Sequence, residues 1–83
     1  MIDIIIPAYN AFETIGSTLG SIAKQINKES LKVYIINDGS TKSYDYIIKN
    51  YEKLLDITEI TIENSGPGAA RQVGVDSSNN EFI

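Results

Sequence analysis

The feature that most constrains this chain is a regular alternation of short apolar runs with longer stretches of helical periodicity. Asp3-Ile4-Ile5-Ile6, closed by Pro7, and Val33-Tyr34-Ile35-Ile36 are continuous and rich in β-branched side chains. Such runs are typical of strands buried on both faces of a parallel sheet. Apolar and polar side chains alternate over residues 57–63, as in a half-exposed strand, and Phe82-Ile83 begins a fourth run. The sequence therefore predicts an α/β fold with a parallel sheet and right-handed crossovers.

Helical periodicity fills the three intervals between the predicted strands. Asn10 and Glu13 have the spacing of a capping box, which predicts that the first helix begins just after Tyr9. Thr41 or Ser43 is predicted to cap the second helix. The predicted apolar stripes are Ile15, Leu19, Ile22 and Ile26 in the first helix, Ile47, Ile48, Tyr51, Leu54 and Leu55 in the second, and Ala69, Ala70 and Val73, behind Pro67, in the third.

Length and composition limit the classes of function. The 83 residues have room for one core, and the fourth apolar run starts only at the end, so we expect the N-terminal part of a larger domain. A net charge of -4 argues against non-specific binding to nucleic acid or to anionic membranes. The sequence contains neither Cys nor His, which leaves carboxylates, amides, hydroxyls and one arginine for chemistry. No apolar run reaches the ~20 residues of a membrane span, and we expect a cytoplasmic protein, or one at the cytoplasmic face of the membrane in its intact form.

Polar and glycine-rich segments follow three of the predicted strands directly. They comprise residues 7–10, 37–40 and 64–68. Because the carboxyl ends of parallel strands meet at one edge of a sheet, these segments should lie together, and ligands of open α/β sheets bind there. The sequence lacks G-x-G-x-x-G after the first strand and G-x-x-x-x-G-K-[ST], so the usual dinucleotide and P-loop cradles are absent.

Three side chains near this edge are candidates for ligand contact. Asp38 can accept hydrogen bonds from a base or a ribose, or it can simply form the turn with Gly39. Arg71, the only arginine, follows two glycines at a predicted helix start, where it can bind a phosphate or remain solvated. Tyr9 can stack on a base or fill the sheet edge. The residues alone leave these alternatives open.

Three blocks of the sequence, residues 4–10, 35–41 and 64–74, resemble the opening blocks of family 2 glycosyltransferases in order and spacing. The resemblance implies a GT-A fold, a Rossmann-like three-layer α/β/α half-domain that binds a nucleotide-diphosphate sugar, often a UDP-sugar. It implies that Pro7 and Tyr9 line the base and ribose pocket, that Asp38 contacts the nucleobase and that Arg71 lies near the phosphates. Asn37 stands where that family usually has aspartate, and Gln72 where it usually has asparagine.

The same resemblance implies what the intact enzyme needs beyond these residues. An Asp-x-Asp motif is expected after the fourth strand, where it would hold Mg²⁺ or Mn²⁺, and the catalytic base and acceptor pocket would follow later. Residues 1–83 would then be the N-terminal nucleotide-sugar-binding part of the enzyme, inactive by themselves in sugar transfer to an acceptor hydroxyl. The alternative is a stand-alone nucleotide-binding or protein-interaction module, whose exposed sheet edge would pair with a partner or with a second copy.

Overall fold

The computed structural model describes residues 2–25, 31–78 and 81–82, the last two through their backbone only. The strands lie in the order β3-β2-β1-β4, and each neighbouring pair is parallel, which confirms the predicted sheet. Asn37 at the end of β2 is in register with Ala8, and Asp38 with Ile62, so three strands end at the same edge. Ile83 lies outside the described residues. The strand bounds are Ile2–Ala8 for β1, Leu31–Asp38 for β2, Asp56–Ile62 for β3 and Glu81–Phe82 for β4.

Helices cover both faces of the sheet, as the predicted three-layer α/β/α fold requires. Helix α1 (Ile15–Ala23) and helix α2 (Asp45–Ile48) lie on one face, and α3 (Pro67–Ser77) lies on the other. Because successive side chains of a strand point to opposite faces, Ile35 packs with the first layer and Ile36 with the second. The buried residues are Ala8, Ile15, Leu19, Val33, Ile35, Tyr44, Ile47, Ile48 and Leu55 on the α1–α2 side, and Ile5, Tyr34, Ile36 and Ala70 on the α3 side.

The predicted start of the first helix is wrong. Helix α1 begins at Ile15 with Thr14 as its N-cap, and no side chain caps it. The side-chain oxygen of Asn10 instead accepts a hydrogen bond of 2.9 Å from the backbone N–H of Thr41, 31 residues away. Residues 11–14 form a turn in which the N–H groups of Thr14 and Ile15 donate to the carbonyl of Ala11. Asn10 does not cap the helix because its side chain accepts from the N–H of Thr41 in the loop after β2, a donor that the local sequence pattern does not reveal.

The other two helices also differ from the prediction. Helix α2 ends at Ile48, so Tyr51, Leu54 and Leu55 of the predicted second stripe lie beyond it, and Leu54 is exposed. The N-cap of α2 is Tyr44 rather than Thr41 or Ser43, although the hydroxyl of Ser43 accepts a hydrogen bond of 3.0 Å from the N–H of Asp45. In α3 Ala70 is buried and Val73 packs against the core, as predicted, whereas Ala69 is exposed and Gly74 is the other buried position. No helix within residues 2–25, 31–78 and 81–82 is long and apolar enough to span a membrane. Ile26 of the first predicted stripe lies outside the described residues.

Candidate functional site

A cavity of about 290 Å³ opens at the edge where β1, β2 and β3 end. The structure thus brings together the three polar segments that follow these strands. Pro7, Tyr9 and Asp38 of the four predicted site residues line the cavity, whereas Arg71 does not. The full lining consists of Pro7, Ala8, Tyr9, Asp38, Asn64, Gly66 and Pro67.

Asp38 is buried, with 3% of its surface exposed, and its carboxylate closes the loop that follows β3. One oxygen accepts a hydrogen bond of 2.7 Å from the N–H of Ser65, and the other accepts one of 3.0 Å from the N–H of Gly66. Hydrogen bonds between a charged acceptor and backbone N–H groups are among the stronger ones in proteins. Asp38 therefore shapes the cavity wall, and each oxygen keeps a further lone pair that can accept from a ligand.

Asn37, next to Asp38, lies on the opposite face of the sheet and holds a different loop. Its side-chain oxygen accepts a hydrogen bond of 2.9 Å from the N–H of Ser40. Its side-chain nitrogen donates to the carbonyl of Lys42 at 3.2 Å and to the carboxylate of Glu59 at 2.9 Å. Only an amide offers both an acceptor and two donors to these three partners. The last two residues of β2 thus each tie down one loop, on opposite sides of the sheet.

Glu59, in the middle of β3, is a residue near the site that sequence reasoning missed. Its carboxylate accepts hydrogen bonds of 2.7 Å from the hydroxyl of Ser43 and 3.1 Å from the N–H of Tyr44, besides the one from Asn37. Alternation along β3 places Glu59 on the same face as Ile57, which packs against the α1–α2 core. The sequence offered no clear signal for this role, because Glu59 alternates with Ile60 and Ile62 and is in phase with Thr61 and Glu63 on the polar side of the predicted strand.

Tyr9 is followed by the one described non-glycine residue with a positive φ, Asn10 at +46°. Left-handed backbone is uncommon outside glycine, and asparagine is among the side chains that tolerate it best. The loop after β2 holds Asn10 in place, because its N–H donates to the hydroxyl of Ser40 at 2.8 Å and its side chain accepts from Thr41. Tyr9 itself stays 56% exposed beside the cavity. Its ring face is therefore available to a ligand.

Arg71 lies on the exposed side of α3, within one turn of Pro67 in the cavity wall. Within the described parts of the chain its guanidinium makes no hydrogen bond or ion pair. The preceding segment is open, because a Cβ atom built on Gly66 or on Gly68 meets no atom within 4 Å. Space above glycine backbone at a helix start, with a cation nearby, suits a ligand that carries negative charge.

A metal site was expected outside this chain, on the basis of the family resemblance. Residues 2–25, 31–78 and 81–82 contain no group of three or more His, Cys, Asp or Glu side chains placed to hold a metal ion. The only described carboxylate in the cavity wall is that of Asp38, which is already bound to two N–H groups. The expectation that the ligands lie elsewhere stays a prediction.

Comparison with known proteins gives a consistent result over nearly the whole chain. The model of the family described as glycosyl transferase family 2 matches residues 3–83. The minor teichoic acid biosynthesis protein GgaA of Bacillus subtilis is 36% identical over 89 residues, covering 100% of this chain and 20% of that protein. The poly(ribitol-phosphate) beta-N-acetylglucosaminyltransferase TarS of Staphylococcus aureus is 30% identical, covering 96% of this chain and 14% of the relative.

Solved structures of TarS residues 1–349 from Staphylococcus aureus share the fold. The structure in complex with UDP-GlcNAc has a TM-score of 0.87 at 31% identity, and the match covers 99% of this chain and 25% of that one. The structure in complex with UDP has a TM-score of 0.85 at 30% identity and covers 99% of this chain and 26% of the other. The chain therefore spans about a quarter or less of the proteins described here.

Proposed function

The chain belongs to glycosyl transferase family 2, and from this premise we propose that its cavity binds the nucleoside diphosphate part of a nucleotide-sugar donor, a UDP-sugar in the first instance. Nucleotide-sugar binding is a property of the family, and TarS was solved with both UDP and UDP-GlcNAc. The observation that carries the proposal is the composition of the cavity wall. An exposed aromatic ring, a buried carboxylate and an open glycine segment come together at the carboxyl edge of a parallel sheet.

Each part of this wall suits one part of the donor. The ring of Tyr9 offers a face on which a base can stack, with Pro7 completing the apolar side of the pocket. The free lone pairs of Asp38 suit the N–H groups of a base or the hydroxyls of a ribose. Arg71 and the open backbone around Gly68 suit the diphosphate, which would extend from the cavity along the start of α3.

The whole enzyme is proposed to transfer the sugar from this donor to an acceptor hydroxyl. A divalent metal, Mg²⁺ or Mn²⁺, would neutralise the leaving diphosphate, held by residues that are not among these 83. Residues 1–83 by themselves are proposed to bind the donor without transferring the sugar. Positioning the donor removes only part of the barrier when the metal and a general base are not supplied.

An NMR titration of the chain with UDP, with ADP as the control ligand, tests the proposed site. Tyr9→Ala is the sharpest variant, because Tyr9 is exposed and truncation removes the ring face without breaking any hydrogen bond of the described structure. Loss of one stacked base contact of ~1–3 kcal/mol corresponds to a roughly 5- to 150-fold weaker affinity. Tyr46→Ala is the matched control, since Tyr46 is 49% exposed and lies on the opposite face of the sheet, in α2.

The expected result is a set of shifts around Tyr9, Asp38 and Gly66 that Tyr9→Ala weakens and Tyr46→Ala leaves unchanged. Equal affinity of the two variants would contradict the stacking role of Tyr9. A folded chain that shows no shift with UDP at millimolar concentration would contradict nucleotide binding by these residues. The alternative hypothesis, a protein-interaction module, would then be favoured. Analytical ultracentrifugation would show whether the chain dimerises, as expected if the exposed edge strand β3 pairs with a second copy.

A further inference from the structure

Three hydrogen-bond donors from one loop converge on the carboxylate of Glu59. They are the side-chain nitrogen of Asn37, the hydroxyl of Ser43 and the backbone N–H of Tyr44, at 2.7 to 3.1 Å. Glu59 lies on β3, whereas all three donors belong to the end of β2 and the loop that follows it. A single carboxylate therefore holds residues 37–44 against the neighbouring strand, and all three bonds are to a charged acceptor.

The same loop reaches across to β1 through Ser40. Its hydroxyl accepts from the N–H of Asn10 at 2.8 Å and forms a further hydrogen bond of 2.8 Å with the hydroxyl of Tyr44. The N–H of Thr41 donates to the side chain of Asn10 at 2.9 Å. Two hydrogen bonds from residues 40–41 thus hold Asn10 in its left-handed conformation, immediately after Tyr9 in the cavity wall.

We propose that Asn37 and Glu59 together position Tyr9, and through it the nucleoside, without touching the ligand. Neither residue lines the cavity, and the path from the pair to Tyr9 runs through Ser40, Thr41 and Asn10. The inference rests on the proposed nucleotide site. It means that Asn37 and Glu59 affect the affinity for the nucleotide although neither residue contacts it.

The chemistry of the pair explains why residue 37 is an amide in this chain. An aspartate at 37 would still accept from the N–H of Ser40, but its second oxygen would face the carboxylate of Glu59 and the carbonyl of Lys42. Acceptors that face each other at about 3 Å repel, and two carboxylates repel more strongly. The glutamate at 59 therefore suits asparagine at 37 better than aspartate, which could donate to it only with one of the two carboxyl groups protonated.

This incompatibility gives a direct experiment, the affinity of the chain for UDP measured by isothermal titration. Asn37→Asp should weaken UDP binding by about 5- to 30-fold, the range that ~1–2 kcal/mol of lost hydrogen bonding represents. Asn50→Asp is the matched control, because it makes the same charge change at an exposed position and should leave affinity within about twofold. The double variant Asn37→Asp with Glu59→Gln returns one amide to the pair, and it should recover at least part of the affinity.

Thermal unfolding of each variant separates positioning from a purely structural role. At a temperature where every variant is folded, a structural role would lower the unfolding midpoint and leave the UDP affinity unchanged, which would overturn the proposal. A double variant no better than Asn37→Asp would also overturn it. If Asn37→Asp does not fold, Ser40→Ala cuts the same path nearer to Tyr9, and unaltered UDP affinity in that variant overturns the proposal. Absence of UDP binding by the unmodified chain refutes the nucleotide site itself, whereas binding that is insensitive to these changes refutes only the positioning role.

Discussion

Gly39 packs directly against the backbone of Asn64, so that the loop after β2 touches the loop after β3. A Cβ atom built on Gly39 would lie 2.8 Å from the backbone nitrogen of Asn64, closer than real Cβ atoms approach other atoms. The φ of Gly39 is +73°, a conformation that side chains with a Cβ atom rarely adopt. Asn64 lines the cavity, so this contact fixes the distance between two of its walls.

Gly39→Ala should therefore lower the free energy of unfolding by about 1–3 kcal/mol. The new Cβ atom would clash with the backbone of Asn64, which cannot move away as a flexible side chain could. Gly68→Ala is the matched control. Gly68 lies in α3 with open space around it, and alanine is the better helix former, so that variant should be unchanged or slightly more stable. Urea unfolding followed by circular dichroism measures both, and a Gly39→Ala variant as stable as the control would refute the contact.

A second close approach joins α3 to the sheet at Gly74. A Cβ atom on Gly74 would overlap the Cγ2 atom of Ile5, so Gly74→Ala should cost about 1–3 kcal/mol of unfolding free energy. In an Ile5→Ala background the same change should cost less, since the overlapping methyl is gone. Gly16→Ala serves as a control, because its Cβ would meet Ile47 at an ordinary 3.8 Å. Additive costs of the Gly74 and Ile5 changes would contradict the packing described.

Asp38→Asn should destabilise the chain by about 1–3 kcal/mol, even in the absence of any ligand. The two oxygens of Asp38 accept from two backbone N–H groups, and an amide nitrogen in place of one oxygen leaves a buried donor facing a donor. Asp76→Asn is the control, as Asp76 is exposed on α3 and its single described partner, Gln72, is a donor that the asparagine oxygen still satisfies. Equal unfolding midpoints of the two variants would show that Asp38 does not hold the Ser65-Gly66 segment.

Arg71→Gln should separate recognition of the diphosphate from recognition of the nucleoside. Because Arg71 lies outside the cavity lining, we expect the affinity for uridine to stay unchanged. The affinity for UDP should fall by about 10-fold, the factor that loss of ~1.4 kcal/mol of charge-assisted bonding represents. Lys49→Gln makes the same charge change after α2, on the other face of the sheet, and should affect neither ligand. If the affinities for uridine and for UDP fell by the same factor, Arg71 would contact the nucleoside rather than the diphosphate.

Local sequence patterns predicted the elements that depend on neighbouring residues. The continuous apolar runs around Ile5 and Ile35 fit strands buried on both sides, and the structure places them in the centre of the sheet. The predicted strand ends indicated where the cavity lies. Parallel strands that end in register bring the loops that follow them to the same edge of the sheet. Tyr9 and Asp38 were predicted at this edge from the strand ends and Pro7 from the family resemblance; all three line the cavity, and their contact with a ligand stays a prediction.

Predictions failed where a side chain that fits a local pattern forms its hydrogen bond with a residue far away in the sequence. Asn10 fits a capping box by spacing, but its side chain binds Thr41 instead, and the helix begins five residues further along. The structure likewise decided the role of Glu59, which the sequence shows only as a polar residue on a strand.

The sequence by itself thus determined the parallel α/β sheet, the family and the edge that carries the cavity, since these follow from periodicity and from short motifs in order. Only the tertiary structure decided which loop each polar side chain holds. Asp38 binds Ser65 and Gly66, 27 and 28 residues away, while its neighbour Asn37 binds Glu59 on the other face, 22 residues away. Such partners depend on the register between strands and on the alternation of side chains across the sheet. A hydrogen bond of this kind exists only after the chain has folded, because no local segment contains both the donor and the acceptor.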